Sequence, residues 1–224
     1  MIDFRLGNNI DLIEQIEDNS IDLVFTSPPY FNTGKKYQRG KGFHYSVDFD
    51  EPLYNIIDIC EKIKPKLKEG GIVALNLGFS YAETGVMRPF DIIQRIRTKL
   101  GYFVVDNIIW YKKNPIPLQK RLTNAIEYIF VLSNSPHIKY NLEGHTLNVI
   151  HEAVKGYKGH SASMPEPVAE KVVSYLSKEG DLVLDCYSGS GTTGAVCKKL
   201  NRNCIGFEIN EEYVKLSKQR LGME

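Results

Sequence analysis

The sequence of 224 residues predicts an α/β fold: one domain built on seven mostly parallel strands, with helices on both faces of the sheet. Three observations carry that expectation. Short β-rich runs alternate with helical patterns along the whole chain. A strand runs straight into a glycine turn and a helix at 181–194, DLVLDCYSGSGTTG. Only 33 residues follow Gly191, too few for the rest of a doubly wound sheet, so the other strands come from upstream and the order is circularly permuted.

The strands are expected at 2–6, 21–25, 71–76, 102–110, 126–132, 181–185 and 203–208, where β-branched and aromatic residues cluster. Helical patterns fall between them at 9–17, 51–67, 89–100, 165–177, 191–201 and 210–221. In the second of these, Leu53, Ile56, Ile57, Cys60 and Ile63 recur at three- and four-residue steps, so one stripe faces the sheet. Two stretches have no regular period. The first, 31–49, mixes basic and aromatic residues with glycines; the second, at about 133–164, is rich in Asn, His, Gly and Ser. Structureless stretches of this length commonly carry function.

Composition narrows the class. A 42% hydrophobic, 25% charged chain is an ordinary soluble globule, and no apolar run approaches the ~20 residues of a membrane span. The opening MIDFRLGNNID does not read as a secretory signal, so a cytoplasmic location is expected. Cys60, Cys186, Cys197 and Cys204 lack ligand spacing and read as buried thiols; no metal is expected. The net charge of +1 hides a segregation. Residues 1–30 hold six acids against Arg5, an end that should avoid phosphate. Residues 31–47 hold Lys35, Lys36, Arg39 and Lys41 with no acid, and 95–160 hold ten bases against four acids. The last two stretches could face a polyanion.

Two motifs carry chemistry. The pattern Gly189-x-Gly191-x-x-Gly194 lets backbone approach a ligand, while Asp185 and Glu208, each ending a strand, can accept hydrogen bonds from an amine and from ribose hydroxyls. Both NAD and S-adenosylmethionine could use that arrangement; the permuted order disfavours NAD. The second motif is Thr26-Ser27-Pro28-Pro29-Tyr30, directly after a strand. Two prolines fix both φ angles and stiffen the peptide. A Ser hydroxyl and a fixed carbonyl can accept from one NH₂ group, and an aromatic ring beside them can stack on a planar base.

This corner, the glycine loop and their order resemble the β class of S-adenosylmethionine-dependent DNA amino-methyltransferases, TSPPY type. The likeness covers nearly the whole chain through LGNNIDLIEQIEDNSIDLVFTSPPYF, IIWYKKNPIP, EYIFVLSNS, GHSASMPEPVAEKVV, VLDCYSGSGTTGAV and NRNCIGFEIN. It implies a single Rossmann-like methyltransferase domain over 1–224, S-adenosylmethionine at the glycine loop, and double-stranded DNA with a flipped target base. By the same resemblance Asp185, Cys186, Tyr187, Ser188, Gly189 and Gly191 line the methionine side of the cofactor. Thr192 and Thr193 begin the helix facing it, with Thr26 beside it. Glu208 takes the ribose, and Pro165 with Glu166 close the pocket. Asn8, where the family often has an acid, would reach the adenine. Ser27, Pro28, Pro29 and Tyr30 would hold the target amine and its ring.

The basic loop 31–49 follows the corner and is expected to act as a mobile lid, touching phosphate through Lys35, Lys36, Arg39 and Lys41. The segment at about 133–164 takes the place of a target-recognition region, with Lys139, Lys155, Lys158, His145 and His151 as contacts. Trp110 reads as core. Methylation at cytosine carbon 5 would need a cysteine nucleophile, usually after proline, and no Pro-Cys occurs. Family usage of Ser at the first corner position favours N4 of cytosine, with N6 of adenine the alternative. An RNA or protein methyltransferase and an NAD-binding oxidoreductase are the more distant readings. A cognate restriction endonuclease and a homodimer are partners the sequence leaves open.

Overall fold

The computed structural model describes residues 1–29, 50–82, 85–117, 122–142, 144–155, 157 and 163–223, with backbone alone at 50–54, 80–82 and 85–87. In chain order the elements are β1 (Ile2–Leu6), α1 (Asn9–Ile13), β2 (Ile21–Thr26), α2 (Asp50–Ile63), β3 (Leu67–Leu77), β4 (Ser80–Ala82), β5 (Gly85–Met87) and α3 (Pro89–Leu100). They continue with β6 (Phe103–Lys112), β7 (Ile126–Ser133), β8 (Val149–Glu152), α4 (Glu166–Leu176), β9 (Leu182–Asp185), α5 (Thr192–Lys199), β10 (Asn203–Glu208) and α6 (Glu211–Leu221).

The main sheet has the order β1-β10-β9-β2-β3-β7-β6-β8. Pairing is parallel from β1 through to β3, antiparallel on both sides of β7, and parallel again between β6 and β8. The strand before the glycine turn, β9, comes late in the chain yet sits inside the sheet between β10 and β2. That is the permutation the sequence implied.

All seven expected strands are present, and the count of seven is corrected to eight. The eighth, β8, lies inside the stretch read as irregular. Its four residues, Val-Ile-His-Glu, carry too short an alternation to announce a strand. It forms because β6 offers an edge along Ile109–Lys112. A separate β4–β5 hairpin was also not foreseen. Helix boundaries moved for local reasons. After Ile13, Gln15 and Ile16 bond to carbonyls three residues back, so α1 tightens and stops short of residue 17. Pro65 lacks an N–H and ends α2 at Ile63; a 3₁₀ turn follows and β3 begins at Leu67.

Two apolar layers sandwich the sheet. On one face Ile56, Ile57, Cys60 and Ile63 of α2 pack with Ile92, Ile93 and Ile96 of α3, so these four members of the stripe expected on α2 are buried, while the side chain of the fifth, Leu53, lies outside the described residues. On the other, Val168, Val172 and Val173 of α4 and Val196 of α5 cover Leu23, Phe25, Ile129 and Trp110. Trp110 is core, and its indole N–H donates to the Glu152 carbonyl. The four cysteines are buried and unbridged.

At the amino edge of the sheet, three of the six acids in the first 30 residues are matched by lysines at alternating positions. Glu14 pairs with Lys62, Asp18 with Lys66 at 2.6 Å, and Asp22 with Lys68 at 2.8 Å. That negative end is thus partly neutralised within the fold. No helix among the described residues is long and apolar enough to cross a membrane, and none of their side chains form a cluster able to hold a metal.

Candidate active site

In an open α/β sheet the crevice lies at the carboxyl ends of strands whose connections diverge. Here those strands are β9, which leads through α5 to β10, and β2, which leads through α2 to β3 on the opposite side. They are parallel neighbours, Leu23 opposite Val183 and Val24 opposite Leu184. Both motifs found in the sequence therefore leave the sheet side by side. Thr26 Oγ1 donates to Asp185 Oδ1 at 2.7 Å, fastening the corner to the glycine loop across 159 positions of sequence. Asp185 also accepts from Thr193 Oγ1 at 2.6 Å and from the Tyr187 N–H at 3.1 Å. Burial pushes its carboxyl above the ordinary range, and the three donors pull it partly back.

The glycines are used sterically. Gly191 has φ +74°, and a Cβ there would lie 2.9 Å from Ser217; one on Gly194 would lie 2.6 Å from the Phe4 ring. These close approaches seat α5 against β1 and α6. Glu208, at the end of β10, accepts the Gly189 N–H on one oxygen and the Asn210 N–H on the other, both at 2.9 Å. Burial raises its pKa as well. The hydroxyls of Ser188 and Ser190, buried in the same loop, have no partner among the described residues. Two unpartnered hydroxyls, the buried Asp185 carboxylate and the half-buried Glu208 carboxylate fit a polar, cationic ligand such as the methionine end of S-adenosylmethionine.

Five further assigned residues acquire a place. The Asn8 side-chain oxygen caps α1 by accepting the Ile10 N–H at 2.9 Å, so its local role is a helix cap. The Cys186 side chain points into the core and burial drives its thiol pKa well up; the backbone of this residue faces the loop, where Asn9 Nδ2 donates to its carbonyl at 3.2 Å. Tyr187 bonds through its hydroxyl to Asn55 of α2. Pro165 precedes α4, and Glu166 in the first turn of α4 is held by Arg220 at 3.0 Å.

Arg220 was not singled out by the sequence. Its guanidinium also bonds the Ser190 carbonyl and the Thr192 hydroxyl, and it lies 4.2 Å from the centre of the Tyr157 ring. It thereby joins the last helix to the glycine loop. On the corner side, a second group was missed. Asn76 of β3 donates to Ser27 Oγ at 3.2 Å and to Glu127 Oε2 of β7 at 2.7 Å, and Glu127 pairs with Lys112 of β6 at 2.6 Å.

Pro28 is buried beside the half-buried Ser27 and Pro29. Tyr30, Lys35, Lys36, Arg39, Lys41 and Lys158 lie outside the described residues. Lys155 is exposed just beyond β8, at the carboxyl edge. Lys139 is exposed too, but it follows Asn134 and His137, which lie against Gly70 at the amino edge, so it is not brought together with the cleft. The His151 ring stands 5.2 Å from that of Tyr111 on the outer strands.

Comparison with known proteins agrees with this architecture. Residues 21–219 match the family described as DNA methylase. The chain is 29% identical to the Type II methyltransferase M.SmaI of Serratia marcescens, over 96% of this chain and 89% of that protein. It is 32% identical to M.HpaI of Haemophilus parainfluenzae, over 97% and 73% respectively. Among solved structures, the cytosine-N4-specific PvuII DNA methyltransferase shares the fold with a TM-score of 0.83 at 23% identity, covering 98% of this chain and 86% of that one. The M1.HpyAVI–SAM complex gives 0.72 at 23% identity, covering 99% of each. The match runs from the strand before the corner to the last helix and takes in both walls of the cleft: the chain belongs to the N6/N4 DNA methylase family.

Proposed function

We propose that this chain is a site-specific DNA methyltransferase that moves a methyl group from S-adenosylmethionine to an exocyclic base amine, with N4 of cytosine favoured over N6 of adenine. The observation that carries the reading is the Thr26–Asp185 hydrogen bond, which makes the corner and the glycine loop two walls of one cleft. When bound, S-adenosylmethionine supplies an electrophilic methyl group on a sulfonium. Asp185, Glu208 and the buried hydroxyls of Ser188 and Ser190 would hold it, and the Arg220 contacts keep their loop in place.

An amine conjugated to a ring is a weak nucleophile because its lone pair is delocalised. Ser27 and the stiff carbonyl of Pro28, both accepting from the amine, favour a pyramidal nitrogen whose lone pair points at the methyl group. Orientation then supplies much of the rate, and no covalent enzyme intermediate is needed. Tyr30 is assigned to the face of the flipped base. Double-stranded DNA is the substrate, with Lys155 and the basic residues of 31–49 toward phosphate. The preference for cytosine draws on Ser27 in the corner and on the likeness to the PvuII enzyme, itself described as cytosine-N4-specific.

The test is to treat duplex DNA with protein and S-adenosylmethionine, digest it to nucleosides and identify the methylated one by mass. N4-methylcytosine is expected. N6-methyladenine would reassign the base, and label confined to RNA or protein would overturn the proposal. Ser27→Ala should lose turnover while keeping cofactor affinity; full activity would remove the acceptor role.

A further inference from the structure

Four columns of alternating residues climb one face of the sheet. They are Leu23, Phe25, Ser27 from β2; Ile72, Ala74, Asn76 on β3; Val131, Ile129, Glu127 on β7; and Ile108, Trp110, Lys112 on β6. The two lower members of every column belong to one buried core. The top member is polar in all four. The registers step from strand to strand, with Asn76 opposite Ile129 and Glu127 opposite Trp110, so the polar ends climb the carboxyl edge as a diagonal row joined by side-chain bonds.

The bonds of that row run in a fixed direction. Asn76 Nδ2 gives hydrogens to both neighbours, Glu127 Oε2 at 2.7 Å and Ser27 Oγ at 3.2 Å. Turned over, the amide would aim its oxygen at a carboxylate, acceptor against acceptor, so Glu127 sets which way the amide faces. Lys112, 2.6 Å from the other carboxylate oxygen and 5.5 Å from the centre of the Trp110 ring, balances the charge. Ser27 Oγ receives a hydrogen from behind. Its own hydrogen is thereby kept from pointing at Asn76, and one lone pair and that hydrogen are left for other partners.

We infer that Asn76 is a positioning residue that fixes the rotation of the Ser27 hydroxyl, held in its donating orientation by the Glu127–Lys112 pair; this deepens, and rests on, the amine-methyltransferase reading. The hydroxyl so fixed presents one acceptor and one donor. That is the complement of an amine beside an unprotonated ring nitrogen, the edge that cytosine and adenine share.

Three variants test it. Asn76→Asp keeps the shape but replaces the donor with an acceptor, so the Ser27 hydroxyl must turn back to donate. The kcat on duplex DNA should fall ~30-fold or more, with the DNA KM and cofactor Kd changed less than ~3-fold. Glu127→Gln removes the constraint on the amide and should cost about tenfold in kcat. The double variant N76D/E127Q conserves net charge and closes the row again with its direction reversed. Thermal stability should return while kcat stays low.

A row that serves stability alone predicts the opposite, with kcat recovering along with the melting temperature, and that result would overturn the inference. So would an N76D variant that binds cofactor and keeps kcat within about twofold of the wild type. Should N76D fail to fold, E127Q and the double variant decide. Failure of the underlying reading looks different: wild-type protein that binds S-adenosylmethionine but methylates no DNA would remove both.

Discussion

Two polar clusters sit on adjacent strands at the same edge of the sheet, and they treat a buried carboxylate in opposite ways. On the corner side, Glu127 has its own cation, Lys112, and passes a hydrogen-bond direction along the row to Ser27. On the cofactor side, Asp185 and Glu208 receive only hydroxyl and backbone donors and make no ion pair among the described residues. Their raised pKa values record the cost of that burial. A carboxylate already balanced within the fold can orient a neighbour. One left unbalanced is spare charge for a positively charged ligand.

The largest effect should come from unbalancing the balanced cluster. Glu127→Leu leaves the Lys112 ammonium, whose side chain is 14% exposed, without its partner. Breaking a buried pair from one side costs about 3 kcal/mol or more, so urea denaturation should show a clear drop in midpoint. A variant as stable as the wild type would show the pair to be effectively solvated. Asp185→Asn should behave in the reverse manner. It relieves a buried charge, so the ligand-free protein should hold or gain stability. Cofactor affinity measured by calorimetry should nevertheless fall by about 2 kcal/mol, roughly thirtyfold. A parallel loss of stability and binding would make Asp185 a structural acid like Glu127.

The two clusters also differ in how legible they are. The glycine-loop wall was legible as a strand, turn and helix start because Asp185, Gly189, Gly191 and Thr193 fall within nine residues of sequence. The row was not. Asn76, Glu127 and Lys112 stand on three strands, each an unremarkable polar residue ending an apolar run, and only the sheet order makes them neighbours. Arg220 escaped notice for the same reason: a basic residue near the end of an amphipathic helix reads as a solvated face until packing shows four partners around it. The strands themselves were legible wherever alternation ran five residues or more. Of the main sheet, β8 was missed: it has four residues, as β9 does, but no glycine turn marks its end and it depends on the edge of β6 for its existence; the three-residue strands β4 and β5 were missed too.

Acidity offers a finer probe of the cofactor wall. With pKa values raised on folding, Asp185 and Glu208 bind more protons in the folded than in the unfolded chain. The interval runs from the ordinary carboxylate range, about 4, up to the folded values. Across it, their contribution makes the ligand-free protein less stable as the pH rises, and above it the loss is constant. A cationic cofactor favours the ionised forms, so its affinity should rise with pH over the same interval. Melting temperatures taken from about pH 4 to 8, with and without S-adenosylmethionine, should therefore diverge as pH increases. The divergence should shrink in Asp185→Asn. Parallel curves would mean that neither carboxylate meets the cofactor's charge.

The smallest effect belongs to the opposite edge, and it isolates what burial contributes. Asp18 and Lys66 approach as closely as Glu127 and Lys112, 2.6 Å in each case, but the Asp18 side chain is 70% exposed where that of Glu127 is 9%. Water and salt screen the first pair and scarcely reach the second. Asp18→Asn should thus cost no more than about 1 kcal/mol at low ionic strength and close to nothing at about 1 M salt, where the screening length is near 3 Å. Glu127→Leu should keep most of its penalty under both conditions. If the two variants lost their effects together as salt was added, the row would be open to solvent, and it could not hold the Ser27 hydroxyl in one direction.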